Sequence, residues 1–140
     1  MRRLFTLLLA GAVLSCAGAS SGWSVSEADA ASSGAWSLEV TDAWGGALPT
    51  FWHRGRTYVL GEAGDRYRIR VRNDSHRRVE AVVSVDGRDA IDGKPASTDK
   101  RGYVVEPHGE VVIDGFRISL EKVATFRFSS VADSYAARMG

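Results

Sequence analysis

From Trp36 onward, apolar and polar residues alternate over short runs broken by Gly, Pro, Asn and Asp. Tyr67, Ile69 and Val71 interleave with Arg66, Arg68, Arg70 and Arg72, the period of two expected of a strand with one dry and one wet face. The polar cluster Asn73-Asp-Ser-His76 follows, and then Val79, Ala81, Val83 and Val85 form a second alternating run ending at Asp86-Gly87. This pattern predicts an antiparallel hairpin as the centre of the domain. Upstream, Trp36, Leu38 and Val40 predict a first strand, and Thr57–Leu60 a short one. Between them, residues 41–55 read as a long irregular loop dense in Gly and aromatics.

Downstream, residues 86–102 read as a polar loop. Tyr103–Val105 and Val111–Ile113 flank Glu106-Pro-His-Gly109, where Pro sets φ at the second position and Gly accepts a positive φ at the last. Phe116, Ile118 and Leu120, then Ala124, Phe126 and Phe128, alternate with polar or smaller neighbours and supply much of the predicted core. Ser130 and Asp133 form the polar frame of a short helical cap near the C-terminus. The predicted fold is all-β: an antiparallel β-sandwich of seven or eight short strands with a short C-terminal helical turn.

The first residues follow a different grammar. Met-Arg-Arg precedes an apolar run from Leu4 to Leu14, and then comes Ser15-Cys16. A short basic region, an apolar core and a small-residue exit predict a secretory signal over 1–15. The apolar run is too short for a permanent crossing of the roughly 30 Å hydrocarbon layer. Val13-Leu-Ser-Cys16 resembles the lipobox of bacterial lipoproteins, which implies acylation of Cys16. Cys16 is the single cysteine of the chain, so no internal disulfide is possible. The alternative is cleavage after Ala17-Gly-Ala19, which would discard Cys16 and leave Ser20 first. Residues 16–35, rich in Ser, Ala and Gly, predict a lipidated cysteine and flexible tether ahead of a domain over 36–140.

Charge changes the picture little. The formal net charge is +1, and it becomes −1 without Arg2 and Arg3, so net charge predicts no nucleic-acid partner. A local basic face is a separate matter. Arg66, Arg68, Arg70 and Arg72 are expected on one face, spaced by about 7 Å. With Arg54, Arg56, Arg77 and Arg78 nearby, they are a candidate surface for anionic glycan or lipid. The competing reading is a solvated face balanced by carboxylates such as Glu80. Trp44, Phe51 and Trp52, with Trp36, form a candidate sugar-stacking platform. The competing expectation is that at least two of these four rings plug the core.

Catalytic signals are sparse. Asp86, Asp89, Asp92 and Asp99 lack the order of a calcium loop, and they read as turn residues. His53, His76 and His108 lie far apart in sequence without the spacing of a zinc site, so no metal and no cofactor are expected. No Gly-x-Ser-x-Gly elbow occurs. Glu62, Glu80, Glu106 and Glu110 leave open a carboxylate pair of the glycosidase type.

The motifs Val85-Asp-Gly…Asp92-Gly, Gly102-Tyr, Ile113-Asp-Gly-Phe-Arg117 and Phe126-Arg-Phe…Ser134-Tyr-Ala resemble a family of uncharacterised bacterial exported proteins. The resemblance covers residues 64–138 and brings no activity or catalytic residue with it. It also implies relatives with a further strand after the Ser-Tyr-Ala segment, hence an open sheet edge for self-pairing or a partner strand. Together these readings predict a non-catalytic cell-envelope lipoprotein, with an outer-membrane address favoured over a periplasmic or secreted one. Its partners would be the membrane through the anchor, and an anionic glycan, lipid or envelope protein. A glycan-active hydrolase is the alternative.

Overall fold

The computed structural model describes residues 13–15, 34–54, 56–117, 119, 122–134 and 137–138. The predicted signal and tether, apart from the backbone of 13–15 and residues 34–35, lie outside the described residues. So do Ile118 and Leu120 of the predicted core. The described chain is all-β and antiparallel. It has twelve short strands where the sequence predicts seven or eight, because several are only two or three residues long. They are β1 (Val13–Ser15), β2 (Trp36–Asp42), β3 (Thr50–His53), β4 (Arg56–Val59), β5 (Tyr67–Asn73) and β6 (Val79–Val82). Then come β7 (Ser84–Val85), β8 (Arg88–Asp89), β9 (Tyr103–Val105), β10 (Glu110–Ile113), β11 (Gly115–Arg117) and β12 (Val123–Thr125).

Two three-stranded sheets, ordered β10-β5-β2 and β1-β6-β9, bury their inner faces in one core. Val40, Ile69, Val71 and Ile113 come from the first, and Val79, Ala81 and Val105 from the second. The alternation read in β5 is realised residue by residue: Tyr67, Ile69, Val71 and Asn73 are buried, and the arginines between them lie on the outer face. Hairpins β3-β4, β7-β8 and β11-β12 complete the framework. At one end, Tyr67, Phe116, Phe126 and Phe128 stack into an aromatic plug with centroids 4.6–5.3 Å apart. Gly61 lies under Phe128, where a Cβ would meet the ring at 2.4 Å. The helical cap is a single 3-10 turn over Val131–Asp133, with the Ser130 hydroxyl bonded to Asp133.

The predicted central hairpin is not a hairpin. β5 pairs with β2 and β10, while β6 pairs with β9 and β1. Residues 67–82 and 103–113 instead form one long two-stranded ribbon that bends from the first sheet into the second. Arg72 faces Glu110 before the bend and Val79 faces Val105 after it. Between those pairs one branch holds six residues, 73–78, and the other four, 106–109. The two extra residues form a bulge, which turns the ribbon sharply. Asn73, fully buried, fixes the bend. Its Nδ2 donates to the carbonyls of Arg77, Val105 and Glu106 at 2.6–3.3 Å, and its Oδ1 accepts from the Ser75 amide and hydroxyl.

Other departures have local causes. The positive φ of the 106–109 turn falls on His108, at 53°, not on Gly109. The irregular stretch at 41–55 contains a strand, β3, paired with β4 around Arg54. Within the predicted polar loop, Asp86 (φ 51°) and Gly87 (φ 73°) make the tight β7-β8 turn. Gly115 follows Asp114, a pair with turn composition, but it lies in β11, where a Cβ would stand 2.0 Å from the Ala124 carbonyl oxygen.

Candidate functional site

The basic strand face and the aromatic segment turn out differently. In register, Ser37, Glu39 and Thr41 of β2 and Glu110 and Val112 of β10 flank the outward arginines of β5. Arg68 Nε lies 2.7 Å from an Asp114 carboxylate oxygen, and Arg72 Nη2 is 3.2 Å from Glu110. Arg70 donates to Glu39 at 3.3 Å and to the Gly45 carbonyl at 3.0 Å, with its Nε 4.0 Å from Glu110. Three arginines therefore meet three carboxylates, and this part of the face is locally neutral. Arg66 stands apart at an isolated bridge opposite Arg127. Each surface pair contributes at most about 1 kcal/mol, so the ladder orders the sheet face more than it stabilises the fold.

The rings at 44, 51 and 52 lie outside the core. Trp44 is 91% exposed, Trp52 67% and Phe51 40%, so the expectation that aromatics of this stretch plug the core fails for them. The reason is the pairing of β3 with β4 as a separate hairpin, while the core is closed by Tyr67 and the downstream phenylalanines.

Trp44 sits on a rigid turn. One Asp42 carboxylate oxygen accepts the Trp44 and Gly46 amides, each at 2.8 Å, and the Asp42 amide closes the loop on the Gly46 carbonyl at 2.8 Å. Along the hairpin, Phe51 faces Tyr58 in a parallel stack at 5.2 Å, with His53 tilted against Tyr58 at 6.4 Å. Exposed Arg54 and Arg56 stand at the hairpin tip. Consecutive in β3, Phe51 and Trp52 project to opposite faces of the hairpin, and exposed rings and guanidinium groups of this kind are each suited to sugars carrying carboxylate or phosphate groups.

A cleft of about 620 Å³ opens near the aromatic plug, lined by Tyr67, Val85, Asp86, Phe116, Phe126 and Arg127 among others. Partial burial of its carboxyl there, in a residue that is exposed as a whole, raises the Asp86 pKa above its ordinary range. Burial, and secondarily the Asp86 charge, push the Tyr67 hydroxyl up. Three of the four glutamates considered for acid–base work have local partners, and the fourth, Glu62, is exposed. Glu80 accepts the Gly102 amide at 2.7 Å, Glu106 pairs with Arg78 at 3.0 Å, and Glu110 pairs with Arg72. Asp89 bonds the amides of Ile91 and Asp92, and Asp92 pairs with Lys100 at 2.9 Å, which holds its carboxyl below the ordinary range. These aspartates serve the loop, as the turn reading expects.

One cluster escaped the sequence reading. His76 and His108, thirty-two positions apart, bring Nδ1 and Nε2 to 2.9 Å of each other across the ribbon bend. Only the bulged register places them together. The single clue in the sequence was that each sits in a turn cluster. Cys16 lies outside the described residues. No helix among the described residues is long and apolar enough to cross a membrane. Comparison with protein-family models, curated proteins and solved structures finds no match.

Proposed function

We propose that the chain is a non-catalytic module of the bacterial cell envelope, anchored through acylated Cys16, that binds an anionic glycan through Trp44, Phe51 and Trp52. The observation that carries this reading is the exposure of all three rings, on the hydrogen-bonded turn after β2 and on the β3-β4 hairpin whose tip carries exposed Arg54 and Arg56. Aromatic stacking provides the apolar contact and the two arginines the charge selection. The carboxylate-paired Arg68, Arg70 and Arg72 contribute less, since an incoming anion would have to displace Asp114, Glu39 and Glu110.

Polarity along the sheet supports a glycan over the anchoring bilayer. β2 starts at Trp36, opposite Asn73, and ends at Asp42, opposite Tyr67. Its seven residues span roughly 20 Å, so the tether enters at one end and Trp44 sits at the other. An outer-membrane address remains the favoured one, because Ala17 and not Asp follows the proposed anchor.

The test is tryptophan fluorescence and calorimetry against acidic and neutral polysaccharides, with anionic vesicles as a separate arm. Saturable binding of an acidic glycan is expected, lost in Trp52→Ala and Trp44→Ala and weakened in the Arg54→Ser/Arg56→Ser pair. Binding unchanged in both tryptophan variants, or seen with vesicles alone, overturns the reading.

A further inference from the structure

We infer that His76 and His108 form a binding site for a six-coordinate or tetragonal divalent transition-metal ion of the Ni²⁺ or Cu²⁺ kind. The two imidazole nitrogens that face each other, His76 Nδ1 and His108 Nε2, are 2.9 Å apart. Two nitrogens bound at about 2.0–2.1 Å in neighbouring positions at a right angle are about 2.9–3.0 Å apart, whereas a tetrahedral ion separates them to about 3.3–3.4 Å. The observed spacing is that of a hydrogen bond between the two rings, and it also equals the cis separation of an octahedral or square-planar ion, so the pair can take up Ni²⁺ or Cu²⁺ without the nitrogens moving apart.

The backbone under the two rings is tied from several sides. The His108 amide donates to the Ser75 carbonyl at 3.2 Å, and the Asn73 amide to that of Gly109 at 2.9 Å. Asn73 Nδ2 joins both branches through the Arg77 and Glu106 carbonyls, and Arg78 pairs with Glu106 across the same bend. The backbone at both positions is therefore held before an ion arrives, which lowers the ordering cost of binding. Both histidines are exposed, so water can fill the remaining coordination positions. Asp74 and Glu106 offset Arg77 and Arg78, so the charged side chains of the two turns do not repel a dication. Among the described residues no third His, Cys, Asp or Glu completes a set of three, so the pair is an open, exchangeable site and not a structural one. On binding, the hydrogen now shared between the rings moves to an outward-facing ring nitrogen through solvent, and each facing nitrogen gives its lone pair to the ion.

The experiment uses the untagged full chain carrying Cys16→Ser, which removes the thiol as a competing ligand. NiCl₂ is titrated by calorimetry in a non-chelating buffer. In parallel, nitrogen hyperfine structure is read from the electron paramagnetic resonance of bound Cu²⁺, and the imidazole ¹⁵N shifts are followed during a Zn²⁺ titration. One ion per chain is expected, with at least tenfold weaker Ni²⁺ binding in each of His76→Gln and His108→Gln and none of that loss in His53→Gln. Two-nitrogen hyperfine structure should be absent from both single variants, and the shifted ¹⁵N signals should be His76 Nδ1 and His108 Nε2. No binding at millimolar Ni²⁺, or affinity and hyperfine structure unchanged in the variants, overturns the site. If a variant misfolds by circular dichroism, unshifted His76 and His108 nitrogens in the parent chain overturn it independently.

Discussion

At the scale of single residues, Asn73 and Asp86 show how one polar side chain sets local geometry. Asn73, itself fully buried, supplies three donations and accepts two inside the bend. Asn73→Ala removes all five bonds, leaving the buried Val105 carbonyl without this donor while the Arg77 carbonyl keeps the Ser75 hydroxyl, and since an unpaired buried group costs about 1–3 kcal/mol, a loss of about 1–3 kcal/mol in urea unfolding is expected. A loss below 0.5 kcal/mol, the range usual for uninvolved surface positions, would mean that the bend is held by other contacts. Asp86 works against the fold at neutral pH. Its carboxyl pKa is raised by burial, so the folded state holds the proton more readily than the unfolded chain. The resulting contribution to stability is complete below the ordinary carboxylate range and is lost as pH rises through the raised value. Asp86→Asn removes that loss and suits a positive-φ position ahead of Gly87. At pH 7 a higher urea midpoint than the parent's is expected, with the difference shrinking near pH 3. A gain of equal size at both pH values would assign the effect to the turn alone.

At the scale of elements, the period of two was enough to find β2, β5, β9 and β10, because each has one face in the core and one in solvent. Which strands lie side by side was not legible. The Asn73–His76 cluster has the composition of a hairpin turn, but turns and bulges draw on the same residues. Only long-range pairing of Glu110 with Arg72 and of Val105 with Val79 reveals a bent ribbon. The same limitation hid the His76–His108 pair and the carboxylates that meet the arginines. Exposure of Trp44 and Trp52 was open for another reason: composition cannot tell a ring on a hairpin from one in a core. Gly115 is a further instance, since Asp114-Gly115 has turn composition while the glycine serves close strand approach. A methyl group there collides with backbone atoms of β12, not with a flexible side chain. Gly115→Ala is accordingly expected to cost about 3 kcal/mol, at the upper end of overpacking effects. Gly87→Ala, which meets nothing within 4 Å but keeps a φ of 73°, should cost less. Equal losses, by thermal melting of both variants, would mean that conformational strain and not crowding decides these positions.

At the scale of the whole molecule, the proposed leader and the sheet are linked. β1, residues 13–15, occupies the side of β6 away from β9, with Val13 opposite Val82 and Ser15 opposite Glu80. Cleavage ahead of Cys16 would take β1 away with the leader and leave β6 paired on one side only, an edge of the kind that accepts another strand. Two measurements on protein extracted from membranes follow. Intact mass should give an acylated chain starting at Cys16, and a chain starting at Ser20 would exclude the anchor. Hydrogen exchange should then be faster in processed protein at the β6 amides that face β1, relative to a Cys16→Ser chain retaining its leader, with β5 unchanged. Equal exchange in the two forms would mean that β1 adds no protection to this edge, and that release of the leader leaves the sheet as it was.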